Sequence, residues 1–337
     1  MSNPSIPATT ACEGLTQHNI YWFHDGSLVF RIQNHLFKVH RTLISRHSRF
    51  FASKVEQYSE EDVVGSNVAK IPHGVCIYLE VERDVNANDV EALLGHLYHD
   101  VPLGRDLPFH LVASILRASS PNQLDFPNIH SVALETLEAM FPTYPESFSL
   151  PHPLHESLNL TSKYKLPLVR KAVFYSLVTT TNFDTEERPE KSPTVDPSEE
   201  HRSISASETH HTCGILSESD AWLCRRLLAH IIDHFTPILF TPATTAHMAC
   251  TDVFADMWMP LVIKPALEDD GVYKPLETLE RIKSIDWAME GLCASCVIEK
   301  RQEWTKEQYT VWRLIDGWLE TLDVQTVRVL EHPGNEM

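Results

Sequence analysis

The sequence predicts an α+β protein in which a small sheet near the beginning of the chain is followed by helices. Apolar and polar residues alternate, as in half-buried strands, only within roughly the first 85 residues. From Val90 onward, apolar residues recur every three or four positions, which is the spacing of amphipathic helices. Prolines outnumber glycines by 21 to 11, so the composition favours helices bounded by proline over glycine-rich loops that bind phosphate groups.

A β-hairpin is the first element with a clear pattern. Alternate apolar side chains of Leu28–Ile32 face one side, Gln33–His35 has the residues of a turn, and the alternation resumes at Phe37–Val39. Helical spacing follows from Thr42 to Phe51. The polar stretch Glu60–Lys70 is predicted to be a loop.

A second strand and a series of helices are predicted next. Val75–Val81 alternates like a half-buried strand, and Asn86 begins a helix whose apolar face runs from Val90 to Tyr98. Helical periodicity is interrupted over Ser120–Asn128. Further helices are predicted at Leu111–Leu116, Leu134–Phe141, His155–Tyr164 and Leu168–Val178.

The composition changes sharply at Asp184–Thr212, which has no aromatic residue and few aliphatic ones. Ordering a backbone costs about 1–2 kcal/mol per residue, and this stretch cannot bury enough apolar surface to offset that cost. It is therefore predicted to be a disordered linker. Beyond it, Ser217 is placed to cap a long helix, and the remaining chain is predicted to be entirely helical. The later helices are predicted at Thr244–Trp258, Leu276–Lys300 and Trp304–Leu319.

These patterns predict five regions along the chain. They are a flexible tail at 1–18, an α+β domain with a helical extension at 19–180, a disordered acidic and serine-rich linker at 181–212, a helical domain at 213–330 and a short tail at 331–337.

The charge of the chain bears on its partners and its compartment. A net charge of −18 repels nucleic acids and anionic membrane surfaces, so neither is expected as a partner. The first 20 residues lack the apolar centre of a signal peptide, and no apolar run is long enough for a membrane span. We therefore expect an intracellular protein of the cytoplasm or nucleus, with its seven cysteines reduced.

Two short motifs carry possible metal ligands. Cys293 and Cys296 form a Cys-x-x-Cys pair, and His247 and Cys250 form a His-x-x-Cys pair with the same spacing. Three thiolates and one imidazole could together make a closed, tetrahedral zinc site that joins the C-terminal helices. Alternatively, these cysteines pack as small hydrophobic residues, and the chain has no cofactor. The sequence contains no nucleotide-binding, nucleophile-elbow or zinc-protease motif.

The stretch DGSLVFRIQNHLFKVHRTLISRHSRFFASKV resembles a BTB/POZ domain. The pieces that carry the resemblance are Asp25, Phe37, His40-Arg41, Leu43 and Ser48-Arg49-Phe50-Phe51. Three later segments resemble the fungal group of that family. They are SVALETLEAMFP, HPLHESLNLTSKYKLPLVRKAVFYSLV and LCASCVIEKRQEWTKEQYTVWRLIDGWL.

The resemblance implies a BTB/POZ fold, meaning a small mixed sheet capped by helices, and a two-fold homodimer. It also implies a dimer or partner pocket built from Asp25, His40, Arg41 and Arg49, in which Asp25 and Arg41 take the places of facing acidic and basic residues. In the alternative, Asp25 caps the hairpin, Arg41 is solvated, and His40 is a hydrogen-bonded residue at the start of a helix.

The function that the resemblance implies is non-enzymatic. The chain would associate with itself and recruit protein partners, either as a substrate adaptor for a cullin-type ubiquitin ligase scaffold or in a transcriptional or scaffolding complex. Two alternatives stay open. One is a metal-dependent or hydrolytic enzyme in the helical C-terminal half, and the other is a purely structural dimer.

Overall fold

The computed structural model describes residues 15–57, 68–71, 74–104, 106–180 and 216–331. These residues form two compact units, which divide between Met140 and Phe141. The first unit contains a sheet and helices, and the described part of the second is helical. The predicted mixture of a small N-terminal sheet and following helices is therefore confirmed.

The sheet of the first unit has five strands in the order β1-β3-β2-β5-β4. β2 and β3 form the predicted antiparallel hairpin, while β1 runs parallel to β3 and β5 runs parallel to β2. The strands are β1 at Thr16–Trp22, β2 at Leu28–Ile32, β3 at His35–Val39, β4 at Val68–Ile71 and β5 at Gly74–Glu80.

The hairpin forms where the apolar alternation places it. Ile32 pairs with His35, so the connection has two residues, and the first of them, Gln33, adopts φ 54°. Phe30 and Phe37 are opposite one another across the two strands, and their rings stack with centroids 5.2 Å apart. This aromatic pair is fully buried and anchors the sheet in the core of the first unit.

Two strands were not predicted. β1 begins in the predicted tail 1–18 and continues into the predicted domain, and its side chains are mostly exposed, with Tyr21 the buried member. β4 lies at the edge of the predicted loop Glu60–Lys70, and among the described strands it pairs with β5. Both predictions were wrong because edge strands do not need the apolar alternation that marks a strand with a buried face.

The predicted helix Thr42–Phe51 is two short helices, α1 at Arg41–His47 and α2 at Arg49–Glu56. They are separated by Ser48, which has extended backbone angles. The buried Ser48 hydroxyl accepts a hydrogen bond from the Phe51 N–H at 3.0 Å and donates to the Leu124 carbonyl at 2.5 Å. The serine thus caps α2, and through Leu124 it also holds the segment that precedes the helix at Pro127–Ala139.

Three helices complete the first unit. The pair of hydrogen bonds from Arg117 to the Asp89 carboxylate, 2.8 and 2.9 Å long, joins the first two of them. The helices are α3 at Ala87–Leu97, α4 at Phe109–Ser119 and α5 at Pro127–Ala139.

The second unit begins before the predicted linker. Lys171 forms an ion pair with Asp316 at 2.6 Å, and Tyr175 hydrogen-bonds Glu277, so the helices predicted as an extension of the first domain pack within the second unit. The boundary between compact units therefore differs from the predicted boundary at residue 180. The helices are α6 at Leu154–Tyr164, α7 at Pro167–Thr180, α8 at Glu218–Phe240, α9 at Met248–Trp258, α10 at Lys264–Glu268, α11 at Pro275–Ser284 and α12 at Ala294–Glu331.

The predicted helix Leu276–Lys300 is interrupted. The chain leaves α11 after Ser284 and re-enters helix only at Ala294, where α12 begins and continues through the predicted helix Trp304–Leu319. The interruption contains Trp287, which is fully buried and donates from Nε1 to the Ile282 carbonyl at 2.9 Å. Because Ile285 follows Ile282 by three residues and so continues the helical spacing of apolar residues, the sequence pattern did not reveal the break.

Aromatic residues form the core of the second unit. Phe254, Trp258, Trp287 and Trp304 are buried with ring centroids 4.8–6.3 Å apart. A π-helical turn at Met259–Ile263, which includes Pro260, joins α9 to α10. This core packs the N-terminal part of α12 against α9, because Trp304 of α12 contacts Phe254 and Trp258 of α9.

Several predictions concern other parts of the chain. The linker 181–212, most of the tail 1–18 and most of the tail 331–337 lie outside the described residues. None of the helices in the described ranges combines the length and apolar character needed to cross a lipid bilayer.

Candidate metal centre

Four side chains that can bind a metal meet where two helices of the second unit begin. His247 and Cys250 lie at the N-terminus of α9, and Cys293 and Cys296 lie at the N-terminus of α12. One ligand atom from each residue lies within 4.8 Å of all the others. The four residues predicted from the two short motifs are thus brought into one cluster that could hold a metal ion.

Three separations between donor atoms of the cluster are close to those of a tetrahedral donor set. The Cys250 and Cys293 sulfurs are 3.6 Å apart, and Nδ1 of His247 lies 3.2 Å from the Cys293 sulfur and 3.5 Å from that of Cys296. Zinc–sulfur and zinc–nitrogen bonds in a tetrahedron imply separations of roughly 3.8 Å between sulfurs and 3.6 Å between nitrogen and sulfur. Small side-chain adjustments therefore suffice for all four atoms to bind one ion.

The loop before α9 is ordered by threonine hydroxyl groups. The Thr245 hydroxyl donates to the His247 carbonyl at 2.9 Å, and the Thr251 hydroxyl accepts from the Thr245 N–H at 3.0 Å. The His247 carbonyl also accepts the first backbone hydrogen bonds of the helix, from the N–H groups of Cys250 and Thr251. His247 is the N-cap, so its ring and the Cys250 thiol leave the backbone on the same turn.

A glycine turn positions the second pair. Gly291 has φ 108°, a conformation that favours glycine, and the next residue, Leu292, donates its N–H to the Trp287 carbonyl at 3.0 Å. The turn delivers Cys293 directly before α12, where its carbonyl accepts from the Val297 N–H. The buried Trp287 therefore holds the chain at the point where the first ligand of the pair emerges.

The environment favours a thiolate at Cys293. Hydrogen bonds from the Ser295 hydroxyl, the Cys296 N–H and the His247 ring lower the pKa of Cys293 to about 5. Burial raises the pKa of the Cys296 thiol. Both helices also direct the positive ends of their dipoles toward the cluster, which favours negative charge there.

The cluster lies partly at the surface. Cys250 and Cys296 are buried, Cys293 is partly exposed and His247 is exposed.

Two residues that shape the cluster, Gly291 and Ser295, were not singled out from the sequence. A glycine two residues before a Cys-x-x-Cys pair and a serine within the pair could have been recognised there. The Thr245 contact has no comparable sequence signal, because it depends on the shape of the loop.

The residues predicted for a dimer pocket lie at the surface of the first unit. Asp25 meets His40, with its Oδ2 3.1 Å from Nε2, and the His40 ring and N–H both contact the Tyr98 hydroxyl at 3.0–3.1 Å. This hydrogen bond to His40 lowers the pKa of Asp25. Arg41 and Arg49 have exposed side chains at the starts of α1 and α2. Within the single chain, Asp25 is therefore paired with His40 rather than with Arg41.

No protein-family model matches the sequence, and the search of curated proteins finds no match.

Proposed function

We propose that the chain is a non-enzymatic protein-interaction protein whose second unit is held together by one structural zinc ion. The observation that carries the zinc assignment is the convergence of the ligand atoms of His247, Cys250, Cys293 and Cys296 within 4.8 Å. Three sulfur donors and one imidazole are the ligand set of structural zinc sites.

The number of ligands favours a structural role over a catalytic one. Four protein ligands fill a tetrahedral zinc ion, whereas catalytic zinc sites keep a position for water or substrate. The ligands also come from two helices, and Cys250 and Cys293 are 43 residues apart in the sequence. A bound ion would therefore cross-link distant parts of the second unit. This donor set argues against the alternative of a metal-dependent hydrolase at this site.

Metal content of the purified full chain tests the zinc assignment. The wild-type protein is expected to retain one zinc ion through dialysis, and Cys296→Ser is expected to lose it. Cys224→Ser is the matched control, because Cys224 is a buried cysteine of α8 outside the cluster. Wild-type protein without stoichiometric zinc after purification in zinc-supplemented medium would overturn the assignment.

Cobalt substitution separates a closed site from an open one. A tetrahedral Co²⁺ ion bound by three thiolates and one imidazole gives intense visible absorption bands. In a closed site, these bands do not change when azide or cyanide is added at concentrations that leave the metal bound. A spectral change on adding the anion would show an open position and favour the enzyme alternative.

We further propose that the first unit is of the BTB/POZ type, that it forms a homodimer and that it recruits protein partners. The support is the order of its elements, since the β2–β3 hairpin is followed by α1 and α2, then β5 and α3, as the sequence resemblance implies. The exposed side chains of Arg41 and Arg49 are available to a partner's carboxylates. A cullin-type ubiquitin ligase scaffold is one candidate partner, and a transcriptional or scaffolding complex is another.

Light scattering on the full chain tests self-association. The expected mass is twice the monomer mass of 38.4 kDa. Replacing both Arg41 and Arg49 with glutamate is expected to give a monomer, whereas Arg313→Glu, at an exposed site of α12, leaves the dimer intact. A monomeric wild-type protein at high micromolar concentration would contradict the dimer proposal.

Direct binding distinguishes recruitment from a purely structural dimer. Calorimetric titration with the purified N-terminal domain of a cullin-type scaffold is expected to show saturable binding. A stable dimer that binds neither this domain nor any protein recovered from a native extract would instead support the structural alternative.

A further inference from the structure

A groove of about 650 Å³ lies in the first unit between strand β1 and helices α3 and α4. Its volume is that of a site for a few side chains or a small molecule. Two of its apolar side chains are exposed to solvent, Ile20 by 59% and Val101 by 40%. The apolar lining consists of Ile20, Ala92, Val101, Leu111 and Ile115.

Gly95 lets Tyr21 of β1 lie close to α3 beside this groove. The residue is buried in α3, and a Cβ at this position would lie 3.2 Å from the Tyr21 hydroxyl and 3.8 Å from Cβ of Val101. The first of these separations is tighter than an ordinary van der Waals contact, so a larger residue would push β1 and the chain after α3 apart. The absence of a side chain here therefore permits the close approach of Tyr21 to α3.

The charged groups of the groove are mostly carboxylates. Asp89 is neutralised by the pair of hydrogen bonds from Arg117, which leaves Glu91 and Asp100 at the rim. Glu91 is 46% exposed in its side chain. Asp100 is exposed and accepts a hydrogen bond from the Tyr21 hydroxyl at 3.2 Å.

Other polar groups also lie at this rim. Burial and the nearby Asp100 hold the pKa of Tyr21 above its usual value, so the phenol stays neutral and donates. The imidazole of His18 lies 3.5 Å from Glu91, and that of His110 lines the groove at an exposed position. The carboxylates therefore complement a cationic group that is delivered next to apolar side chains.

One wall of the groove is an edge strand. β1 stands at the end of the strand order, so no strand among the described residues covers its outer side. Edge strands beside apolar grooves are a recurrent way to bind an extended peptide, whose alternate side chains enter the pockets of the groove. The N–H groups of Ile20 and Tyr21 already donate to the His18 imidazole at 3.3 and 3.1 Å, so the peptide would bind here mainly through its side chains. This arrangement favours a peptide over a compact small molecule.

We propose that the groove of Ile20, Ala92, Gly95, Val101 and Ile115 binds a segment of a partner protein in which lysine or arginine adjoins aliphatic or aromatic residues. The cationic side chain would face Glu91 and Asp100, and the apolar side chains would cover Ile20 and Val101. The site goes beyond the proposed function, because it contains none of the metal ligands and none of the residues predicted for the dimer pocket.

A library of short random peptides displayed on phage, panned against the immobilised full chain, tests this inference. The expected consensus places a basic residue next to branched or aromatic ones. Panning against Ala92→Trp, in which an indole fills the groove, should not enrich that consensus. Ser114→Trp provides a second blocked variant if the first one fails to fold, since Ser114 lines the groove from α4.

The selected peptide, made synthetically, identifies the site by methyl NMR of the full chain. Its titration is expected to shift the methyl signals of Ile20, Val101, Leu111 and Ile115. The double variant Glu91→Gln with Asp100→Asn should bind at least about tenfold more weakly. Glu135→Gln, at an exposed site of α5 away from the groove, should bind like the wild type.

Three results would overturn the inference. They are a consensus that is acidic or absent, equal weakening by Glu135→Gln and by the rim variants, and methyl shifts outside the groove. Binding of a small apolar amine such as phenethylamine at these methyl groups, without binding of any peptide, would assign the groove to a small molecule instead. The zinc and light-scattering experiments do not depend on this groove, so its failure would leave the proposed function standing.

Discussion

The hydroxyl of Tyr175 lies 2.5 Å from Oε2 of Glu277 and joins α7 to α11 within the second unit. The Tyr175 hydroxyl oxygen also accepts a hydrogen bond from the Leu276 N–H at 3.2 Å, at the start of α11. Burial raises the pKa of Glu277 and also raises that of Tyr175. A carboxyl group whose pKa is raised in the folded state makes folding less favourable once it is ionised.

Replacing Glu277 with glutamine should therefore change how stability depends on pH. In the wild type, the contribution of Glu277 to stability is present below its ordinary pKa near 4.5 and is lost as the pH rises through the higher folded value. The neutral amide of Glu277→Gln can still accept from Tyr175 and does not ionise. Urea unfolding should show this variant gaining stability relative to the wild type as the pH rises above about 4.5. A stability difference that is constant across this range would contradict the prediction.

Tyr175→Phe should destabilise the protein by about 1–3 kcal/mol, because it leaves the Leu276 N–H and the Glu277 carboxyl group without their shared partner. Equilibrium unfolding in urea measures the change. Tyr144→Phe is the control, since Tyr144 is 65% exposed, and it should alter stability by less than about 0.5 kcal/mol. Equal effects of the two substitutions would show that the buried hydrogen bonds contribute nothing.

Two glycines should respond to alanine in opposite directions. Gly291→Ala places a side chain at φ 108°, before the first ligand of α12, and should cost about 1–2 kcal/mol and weaken metal binding. Gly317→Ala should stabilise the protein by about 0.5–1 kcal/mol, because Gly317 lies inside α12 and a Cβ added there would have no neighbouring atom within 4 Å. Thermal unfolding and zinc titration of both variants check the prediction, and a stabilising Gly291→Ala would show that the turn is not strained by a side chain.

Ser48→Ala should destabilise the first unit by about 1–3 kcal/mol. The substitution removes the cap of α2 and leaves the buried Leu124 carbonyl without its donor. Ser53→Ala, at an exposed site in the same helix, should change stability by no more than about 0.5 kcal/mol. Circular dichroism during urea unfolding is the measurement, and indistinguishable midpoints for the two variants would contradict it.

Removing the proposed zinc ion should lower the stability of the second unit. A ligand that binds only the folded state at a free concentration about 100 times its dissociation constant contributes about 2.7 kcal/mol. Tryptophan fluorescence is a suitable probe, because six of the seven tryptophans belong to this unit. A chelator should shift the fluorescence transition of the wild type to a lower temperature but leave that of Cys293→Ser unchanged. Equal shifts in both proteins would mean that the chelator acts elsewhere.

Sequence patterns predicted those elements whose burial is local. The alternation at Leu28–Ile32 and the helical spacing at Val90–Tyr98 both reflect one face turned toward a core, and both elements are present. β1 and β4 escaped prediction because they are at the edges of the sheet, where pairing with a neighbour decides the structure. The break at Ile285 escaped prediction because Ile285 follows Leu279 and Ile282 at the helical spacing of three residues, although its backbone is extended.

The sequence shows each pair of ligands of the candidate metal centre, but it does not show that the two pairs meet. Each pair of ligands is visible as a short motif, because residues three apart at the start of a helix project together. The meeting of the two pairs depends on how α9 packs against α12 through Phe254, Trp258 and Trp304, which no local pattern specifies. The groove in the first unit was not predicted at all, since its walls come from three elements that the sequence does not relate.

The separation of the two ligand pairs has a consequence for biosynthesis. Cys250 is synthesised 43 residues before Cys293, so the cluster has no complete donor set until the start of α12 has been made. The sheet-containing unit, which holds none of the four ligands, has by then been synthesised in full. A metal ion bound by all four ligands would therefore complete the helical unit only late in synthesis, once Cys293 and Cys296 have been made.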